Sequence, residues 1–266
     1  MKYRETATVL GCGEIAPQIF SLRLKTDIIA AAAVPGQFVS VYSNDSARLL
    51  PRPISVCEAD GNSGVLRLVF RIAGKGTREF SMLREGMRVD LAGPLGNGFP
   101  LEEAAGKRVI LTGGGIGIPP MLETAKRLQE MRRANPEAPE TQVTAVLGYR
   151  DAQMFLREEF PCDTVIATED GSSGTRGNVL DAIRESCLEA DVIFACGPTP
   201  MLRALKQYAE EQDVACWLSM EEKMACGIGA CLSCVCRSVQ TDAHSQVKNK
   251  RVCVEGPVFL STQIEL

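Results

Sequence analysis

Four cysteines in the eleven residues CGIGACLSCVC (226–236), with a fifth at Cys253, set the chemistry this chain can carry. Thiols clustered this densely in a reducing compartment read as metal ligands rather than disulfides. Cys226, Cys231 and Cys234 are spaced C-x4-C-x2-C, the plant-type iron–sulfur spacing, whose fourth thiolate comes from farther along the chain. Gly227 and Gly229 give the intervening loop the freedom to wrap a cluster. The expected fourth ligand is Cys253, nineteen residues beyond Cys234. Cys236 is read as the spare, on the expectation that its side chain and that of Cys234 face apart in extended chain. Structural zinc is the rival, although zinc sites are usually built from paired C-x2-C knuckles and only one is present.

Two glycine-bearing loops carry a second chemistry. In Leu111-Thr-Gly-Gly-Gly-Ile-Gly-Ile-Pro-Pro120, Gly113, Gly114, Gly115 and Gly117 join a strand to a helix. Such a turn lets backbone N–H groups approach a phosphate at a helix N-terminus. The strict G-x-G-x-x-G fingerprint is not met, because Ile118 stands where the last glycine would be, and a plain tight turn is the alternative. Cys196, Gly197 and Pro198 in Ala195-Cys-Gly-Pro-Thr-Pro-Met-Leu202 form a second strand-to-helix loop. Two such loops on one sheet edge are where an open α/β sheet binds a nucleotide; for Cys196 the alternative is strand-end packing.

Nearer the start, Arg52-Pro-Ile-Ser55 and Gly74-Lys-Gly-Thr77 offer a guanidinium for a pyrophosphate, with Gly76 and Thr77 as further donors. The plain alternative for Arg52 is a solvated arginine on a barrel rim. His244, the only histidine, sits in a polar stretch and reads as a solvated loop residue rather than a catalytic base. Glu169-Asp170 is either a solvated turn or an acidic lip that disfavours a 2′-phosphate.

Positioning these groups takes two kinds of element. Val65-Leu-Arg-Leu-Val-Phe-Arg-Ile72 alternates, with Leu66, Leu68, Phe70 and Ile72 on one face and Arg67 and Arg71 on the other. Ile19–Leu24 and Gln37–Tyr42 are similar runs, and Gly and Pro punctuate them at Pro35-Gly36, Gly61, Gly64 and Gly93-Pro94. Short strands between turns predict a small closed barrel over residues 1–101. From 102 to 220 the period changes. Strands at Arg108–Thr112, Val143–Leu147, Thr164–Ala167 and Asp191–Ala195 alternate with helices at Pro119–Met131 and after Asn178, an N-cap residue. That alternation predicts a parallel sheet with helices on both faces. Residues 221–266 follow as a small cysteine-bearing unit, so the predicted fold class is β + α/β.

Length and composition fit this plan. The 266 residues are 45% hydrophobic and 23% charged, with a net charge of −4 and no basic block, which argues against nucleic acid or an anionic membrane as partner. No apolar run approaches the roughly 20 residues of a membrane span, and the first residues show no signal-peptide core. A cytoplasmic protein is expected. The remaining cysteines, Cys12, Cys57, Cys162, Cys187, Cys196 and Cys216, are scattered and read as small buried hydrophobes.

The RPIS, GKGT, GGGIGIPPM and CGPTPML stretches, in that order, resemble the ferredoxin reductase superfamily, a flavin-binding barrel followed by a pyridine-nucleotide domain. Within it, Met220–Cys234 and Cys253–Leu260 resemble the electron-transfer subunits of NAD-dependent dihydroorotate dehydrogenases. The resemblance implies FAD on Arg52, Pro53, Ile54, Ser55, Val69, Phe70, Arg71, Gly76 and Thr77. It further implies a 2Fe-2S cluster on Cys226, Cys231, Cys234 and Cys253, NAD as electron acceptor, and an FMN-containing catalytic subunit as partner in a heterotetramer. Cys236 and the long polar insertion between Cys234 and Cys253 depart from the pattern. Since hydride moves as an electron pair and clusters pass electrons singly, a flavin belongs between the two. The nearest rival is a related subunit of a hydrogenase or of a ferredoxin–NADPH oxidoreductase. A non-enzymatic electron carrier or zinc-bound assembly module is the rival of another class.

Overall fold

A computed structural model describes residues 2–242 and 246–266; His244 lies outside the described residues. The first six strands are β1 (Tyr3–Ala16), β2 (Ile19–Lys25), β3 (Phe38–Val41), β4 (Arg52–Asp60), β5 (Val65–Arg71) and β6 (Arg88–Leu95). They close into a barrel in the order β1-β2-β5-β4-β3-β6, with two short helices, α1 (Ile29–Ala32) and α2 (Lys75–Phe80). Leu66, Leu68 and Phe70 point into the barrel core with Val9, Leu22, Leu24, Val39 and Leu91. The alternation is broken at Val69, which is buried on the outer face because a second layer packs there. Ile72 lies past the end of β5 and is only half-buried.

Two features depart from the sequence reading. Gly93-Pro94, taken there as punctuation, lies inside β6, joined by a cis peptide bond. Pro94 can sit there because the pairing to β1 ends at Gly93 and that to β3 resumes at Leu95, so no N–H is required of it. The long strand β1 showed no clear period in sequence because its register shifts between Val9 and Gly11 and again between Glu14 and Ala16.

The second layer is built from β7 (Arg108–Gly114), α3 (Ile118–Ala134), β8 (Gln142–Tyr149), β9 (Asp163–Thr168), β10 (Thr175–Arg176), α4 (Val179–Glu185), β11 (Val192–Cys196), α5 (Thr199–Gln212) and β12 (Ala215–Ser219). Successive residues of β7 bury opposite ways: Val109 and Leu111 join the core under α3, and Ile110 joins the core under α4 and α5. A sheet covered on both faces therefore shows continuous apolar runs rather than alternation. Asn178 caps α4 as expected, its side-chain oxygen accepting from the N–H of Leu180 (2.8 Å) and Asp181 (3.4 Å).

The C-terminal segment holds a two-stranded hairpin, β13 (Val235–Arg237) with β14 (Asn249–Arg251), and then β15 (Val258–Leu260). β15 joins the large sheet antiparallel to β12, completing the order β10-β9-β8-β7-β11-β12-β15. The cysteine-bearing unit is thus tied to the parallel sheet by the chain that follows Cys253. It is also tied to the barrel. Asn97 donates to the carbonyls of Glu255 (3.2 Å) and Val258 (2.8 Å) and accepts from the Val258 N–H (3.0 Å). Barrel and sheet are joined by Arg67, which pairs with Glu58 of the barrel (2.5 Å) and Glu159 (3.1 Å), while Lys126 of α3 also pairs with Glu58.

Candidate redox site

The three parts meet at one cleft of about 410 Å³, within the roughly 300–1,000 Å³ of small-molecule sites. The barrel contributes Pro53, Ile54 and Ser55 from β4, and Val69, Phe70 and Arg71 from β5, with Thr77 of α2 beside them. Ile116 of the glycine loop, Ser219 and Met220 at the end of β12, and Glu221, Glu222, Met224 and Pro257 complete it. The apolar groups suit a flat aromatic ring, and Ser55, Arg71, Ser219 and Glu221 supply polar groups to orient it. Glu221 is open to solvent along one side. Desolvation within the cleft nonetheless raises its carboxyl above the ordinary range, with Arg71 opposing. The sequence reading gave no role to Met220, Glu221, Glu222, Met224 or Pro257. Their only signal was membership of the Met220–Cys234 and Cys253–Leu260 stretches that carry the resemblance, which gave these residues no place in a cleft.

Arg52 and Gly76 lie beside the cleft rather than in its lining. The Arg52 guanidinium donates to the Leu50 carbonyl (2.5 Å) and lies over Gly76, where an added Cβ would stand 2.7 Å from Arg52 Nε. Gly76 is therefore the residue that lets the arginine approach the start of α2. The Thr77 hydroxyl accepts from the N–H groups of Ala73 (2.9 Å) and Gly74 (3.2 Å), so it orders its own turn before it meets any ligand.

The two nucleotide-type loops abut. A Cβ at Gly117 would stand 2.2 Å from the Cys196 carbonyl oxygen, and one at Gly114 would stand 2.6 Å from Met201 Sδ. Gly197 faces Gly114 and Met201 in the same way, and Pro198 lies 3.1 Å from that position on Gly114. Gly113 packs on Ile118, and at Gly115, with φ +53°, an added Cβ would stand 3.8 Å from Arg71 Nη2. Close approach of one loop to the other accounts for Gly114, Gly117 and Gly197, whereas Gly113 packs within its own loop and Gly115 has a left-handed backbone; the shared crevice opens at the carboxyl ends of β7 and β11. The Cys196 thiol is fully buried; burial raises its pKa to about 12, Glu221 adds to the rise, and a hydrogen bond from Ser219 opposes it. Glu169-Asp170 follows β9 in a tight turn in which Asp170 accepts from the Ser172 N–H (2.9 Å) and hydroxyl (2.6 Å).

At the cysteine unit, the Cys226 sulfur accepts from the N–H groups of Ile228 (3.5 Å), Ala230 (3.3 Å) and Cys231 (3.4 Å). Burial acts against ionisation of Cys226, but these amides and the Cys231 thiol outweigh it and hold its pKa below the ordinary thiol value. Burial raises the Cys253 thiol, the neighbouring Cys234 thiol adds to the rise and the Gly229 amide opposes it. Cys226 is thus held by the amides of its own loop, and Cys234 and Cys253 are buried in one core cluster. Among the described residues no three such side chains are closed around a single point. An all-sulfur donor set wrapped by amide donors is the chemistry an iron–sulfur cluster requires.

Cys236 does not face away from Cys234. Residues two apart on a strand share a face, and Cys234 and Cys236 are indeed buried in one core cluster. What separates them is the ladder. Cys236 is paired across β13–β14 with Lys250, whereas Cys234 lies at the hairpin end, its carbonyl accepting from the Val252 N–H (2.9 Å) beside Cys253.

Comparison with known proteins agrees with this geometry. Residues 15–99 match an oxidoreductase FAD-binding domain, and residues 221–265 match the iron–sulfur cluster binding domain of dihydroorotate dehydrogenase B. The chain is therefore of the ferredoxin reductase class, with a flavin-type barrel, a nucleotide-type sheet and an iron–sulfur unit. A solved NADH-dependent reduced ferredoxin-NADP oxidoreductase, described in work on flavin-based electron bifurcation, is 29% identical. It covers 97% of this chain and 89% of its own, with a TM-score of 0.83. A ferredoxin NADP+ reductase from Neisseria gonorrhoeae, 16% identical over 78% of this chain and 91% of its own with a TM-score of 0.65, shares the fold. Electron transfer subunits named for dihydroorotate dehydrogenase B (NAD(+)) are closer in sequence. That of Geobacillus sp. (strain WCH70) is 43% identical over 100% of both chains, and that of Bacillus velezensis 42% over 97% and 98%. The chain belongs to this family of electron transfer subunits.

Proposed function

We propose that this chain is the oxidoreductase subunit that takes electrons from a dihydroorotate-oxidising catalytic subunit and delivers them to NAD+, in pyrimidine biosynthesis. The observation that carries the reading is full-length similarity to electron transfer subunits so named, with the four-thiol unit continuous with the flavin-type cleft. The partner contains FMN, the complex is a heterotetramer with two copies of each chain, and it operates in the cytoplasm. No helix among the described residues is long and apolar enough to cross a membrane. The working division is a barrel over 1–101, a nucleotide domain over 102–220 and a cluster unit over 221–266.

Arg52, Pro53, Ile54, Ser55, Val69, Phe70, Arg71, Gly76 and Thr77 would hold FAD. Cys226, Cys231, Cys234 and Cys253 would hold a 2Fe-2S cluster. Gly113, Gly114, Gly115 and Gly117, with Cys196, Gly197 and Pro198, would receive the nicotinamide nucleotide. A bound flavin supplies exchange between electron pairs and single electrons, and a bound cluster supplies one-electron transfer. The chain's own contribution is placement. Met220, Met224 and Pro257 bring the cluster unit against the barrel and form an apolar wall of the cleft, while Arg71 sets a cation near Glu221 and Gly115.

The second reading, a subunit serving a ferredoxin–NADPH oxidoreductase or hydrogenase partner, is supported by the 29% identity to the NADH-dependent reduced ferredoxin-NADP oxidoreductase. Purification with the bound partner, cofactor analysis and a dihydroorotate–NAD+ assay separate the two. A flavin and iron–sulfur complex that reduces NAD+ with dihydroorotate is expected, and a partner inert toward dihydroorotate overturns the first reading.

A further inference from the structure

Cys253 arrives from far along the chain, yet its surroundings are already fixed. Arg251, the last residue of β14, donates its backbone N–H (2.8 Å) and its Nε (3.0 Å) to the same Glu255 carboxylate oxygen. Its Nη1 reaches the carbonyl of Gly229 (3.4 Å), in the loop between Cys226 and Cys231. The carbonyl of Arg251 accepts from the N–H groups of Val254 (3.1 Å) and Glu255 (2.8 Å), which folds the chain around Cys253 into a tight turn. Gly229 is therefore the point at which Arg251 meets the loop that carries Cys226 and Cys231. Its backbone is left-handed at φ +89°, and a Cβ there would stand 2.6 Å from Val254 Cγ2, so glycine is required where the two loops touch.

We infer that Arg251 is a positioning residue for the iron–sulfur cluster. By gripping Glu255 on its own turn and Gly229 on the other loop, it fixes the angle at which Cys253 is presented beside Cys226, Cys231 and Cys234. This inference rests on the reading of those four cysteines as the cluster ligands. Arg251 is 39% exposed, so the ion pair itself contributes little to stability. Its effect lies in geometry. Partners that orient a ligand typically account for about 10–100-fold in metal affinity.

The test uses the full chain carrying its cluster, with Arg251→Ala, Arg251→Lys and Cys253→Ser compared to wild type. Iron release to a ferrous chelator, the EPR spectrum of the reduced cluster, flavin content and melting temperature are measured. Arg251→Ala should release iron about 10–100-fold faster with altered EPR g-values, while flavin content and melting temperature stay at wild-type values. Arg251→Lys, which keeps the charge but reaches only one of the two oxygens, should fall between. It also decides the matter if the alanine variant fails to fold. Wild-type release rates and spectra in the arginine variants, alongside lost iron in Cys253→Ser, would overturn the positioning role and leave the ligand reading standing. Wild-type iron and spectrum in Cys253→Ser would overturn the ligand reading and the inference together.

Discussion

Gly117→Ala tests whether the two nucleotide-type loops work as one structure. The added Cβ would stand 2.2 Å from the Cys196 carbonyl oxygen, 2.4 Å from its carbon and 2.7 Å from the Gly197 nitrogen. All three are backbone atoms at the carboxyl end of β11, so no side chain can swing aside. Relief to about 3.0 Å, the lower limit of ordinary Cβ contacts, requires the loops to part by about 0.8 Å. Overpacking of this kind costs about 1–3 kcal/mol. Misplacing a reacting group by about 1 Å costs up to about 100-fold in rate. Steady-state NADH oxidation with ferricyanide as acceptor should therefore show kcat/KM lowered by about 10–100-fold, with flavin and iron content unchanged. Gly74→Ala is the control, because nothing lies within 4 Å of its Cβ position and its backbone is extended. Its kinetics should match wild type. Wild-type kcat/KM and melting temperature in Gly117→Ala would refute the reasoning.

Serine at Cys226, Cys231, Cys234 or Cys253 should abolish iron binding and the reduced-cluster EPR signal, whereas Cys236→Ser should keep both. Iron kept in Cys253→Ser but lost in Cys236→Ser reverses the assignment. Arg52→Ala should weaken FAD by about 1.5–3 kcal/mol, the usual worth of a hydrogen bond to a charged group, read as flavin fluorescence released on dilution. Undiminished flavin retention contradicts this. Glu123 of α3 is buried against the barrel, accepting from the Ala59 N–H (3.3 Å) and from Arg127 (3.2 Å); burial pushes its carboxyl from 4.5 up to about 6, against Arg127. The folded state thus holds this proton more tightly than the unfolded state, so its stability contribution is full below pH 4.5 and lost as pH rises to 6. The rise converts to about 2 kcal/mol, so Glu123→Gln should be more stable than wild type at pH 7.5 by up to that amount and show a flatter profile between pH 4.5 and 6. A less stable Glu123→Gln at pH 7.5 would contradict the assignment.

Local structure that depends on spacing was legible in the sequence. The C-x4-C-x2-C loop, the two strand-to-helix glycine loops and the cap at Asn178 each need only a few neighbouring residues. Alternation revealed Leu66, Leu68 and Phe70 because one face of β5 meets an apolar barrel interior. Contacts between distant segments were not legible. Val69 is buried because the sheet layer covers the barrel from outside, a tertiary effect with no periodic signature. β15 is three residues long and exists because β12 offers it an edge, so nothing local announces it. The cleft was half-read for the same reason. Its barrel side lies in two motifs, and its opposing side comes from Met220–Met224 and Pro257, which only the folded chain brings there. The ladder that sets Cys236 opposite Lys250 is likewise not encoded by residue spacing along one strand.

Coupled turnover bears most directly on the central claim. Dihydroorotate-dependent NAD+ reduction is measured for the isolated chain and for the chain joined to the proposed FMN-bearing partner, with wild type and Cys231→Ser in parallel. The isolated chain should oxidise NADH with an artificial acceptor and leave dihydroorotate untouched, and adding the partner should create the coupled reaction. Cys231→Ser, shown by gel filtration to dock normally, should keep the NADH–acceptor rate and lose coupling. Dihydroorotate turnover by the isolated chain, or full coupling in Cys231→Ser, would contradict the account.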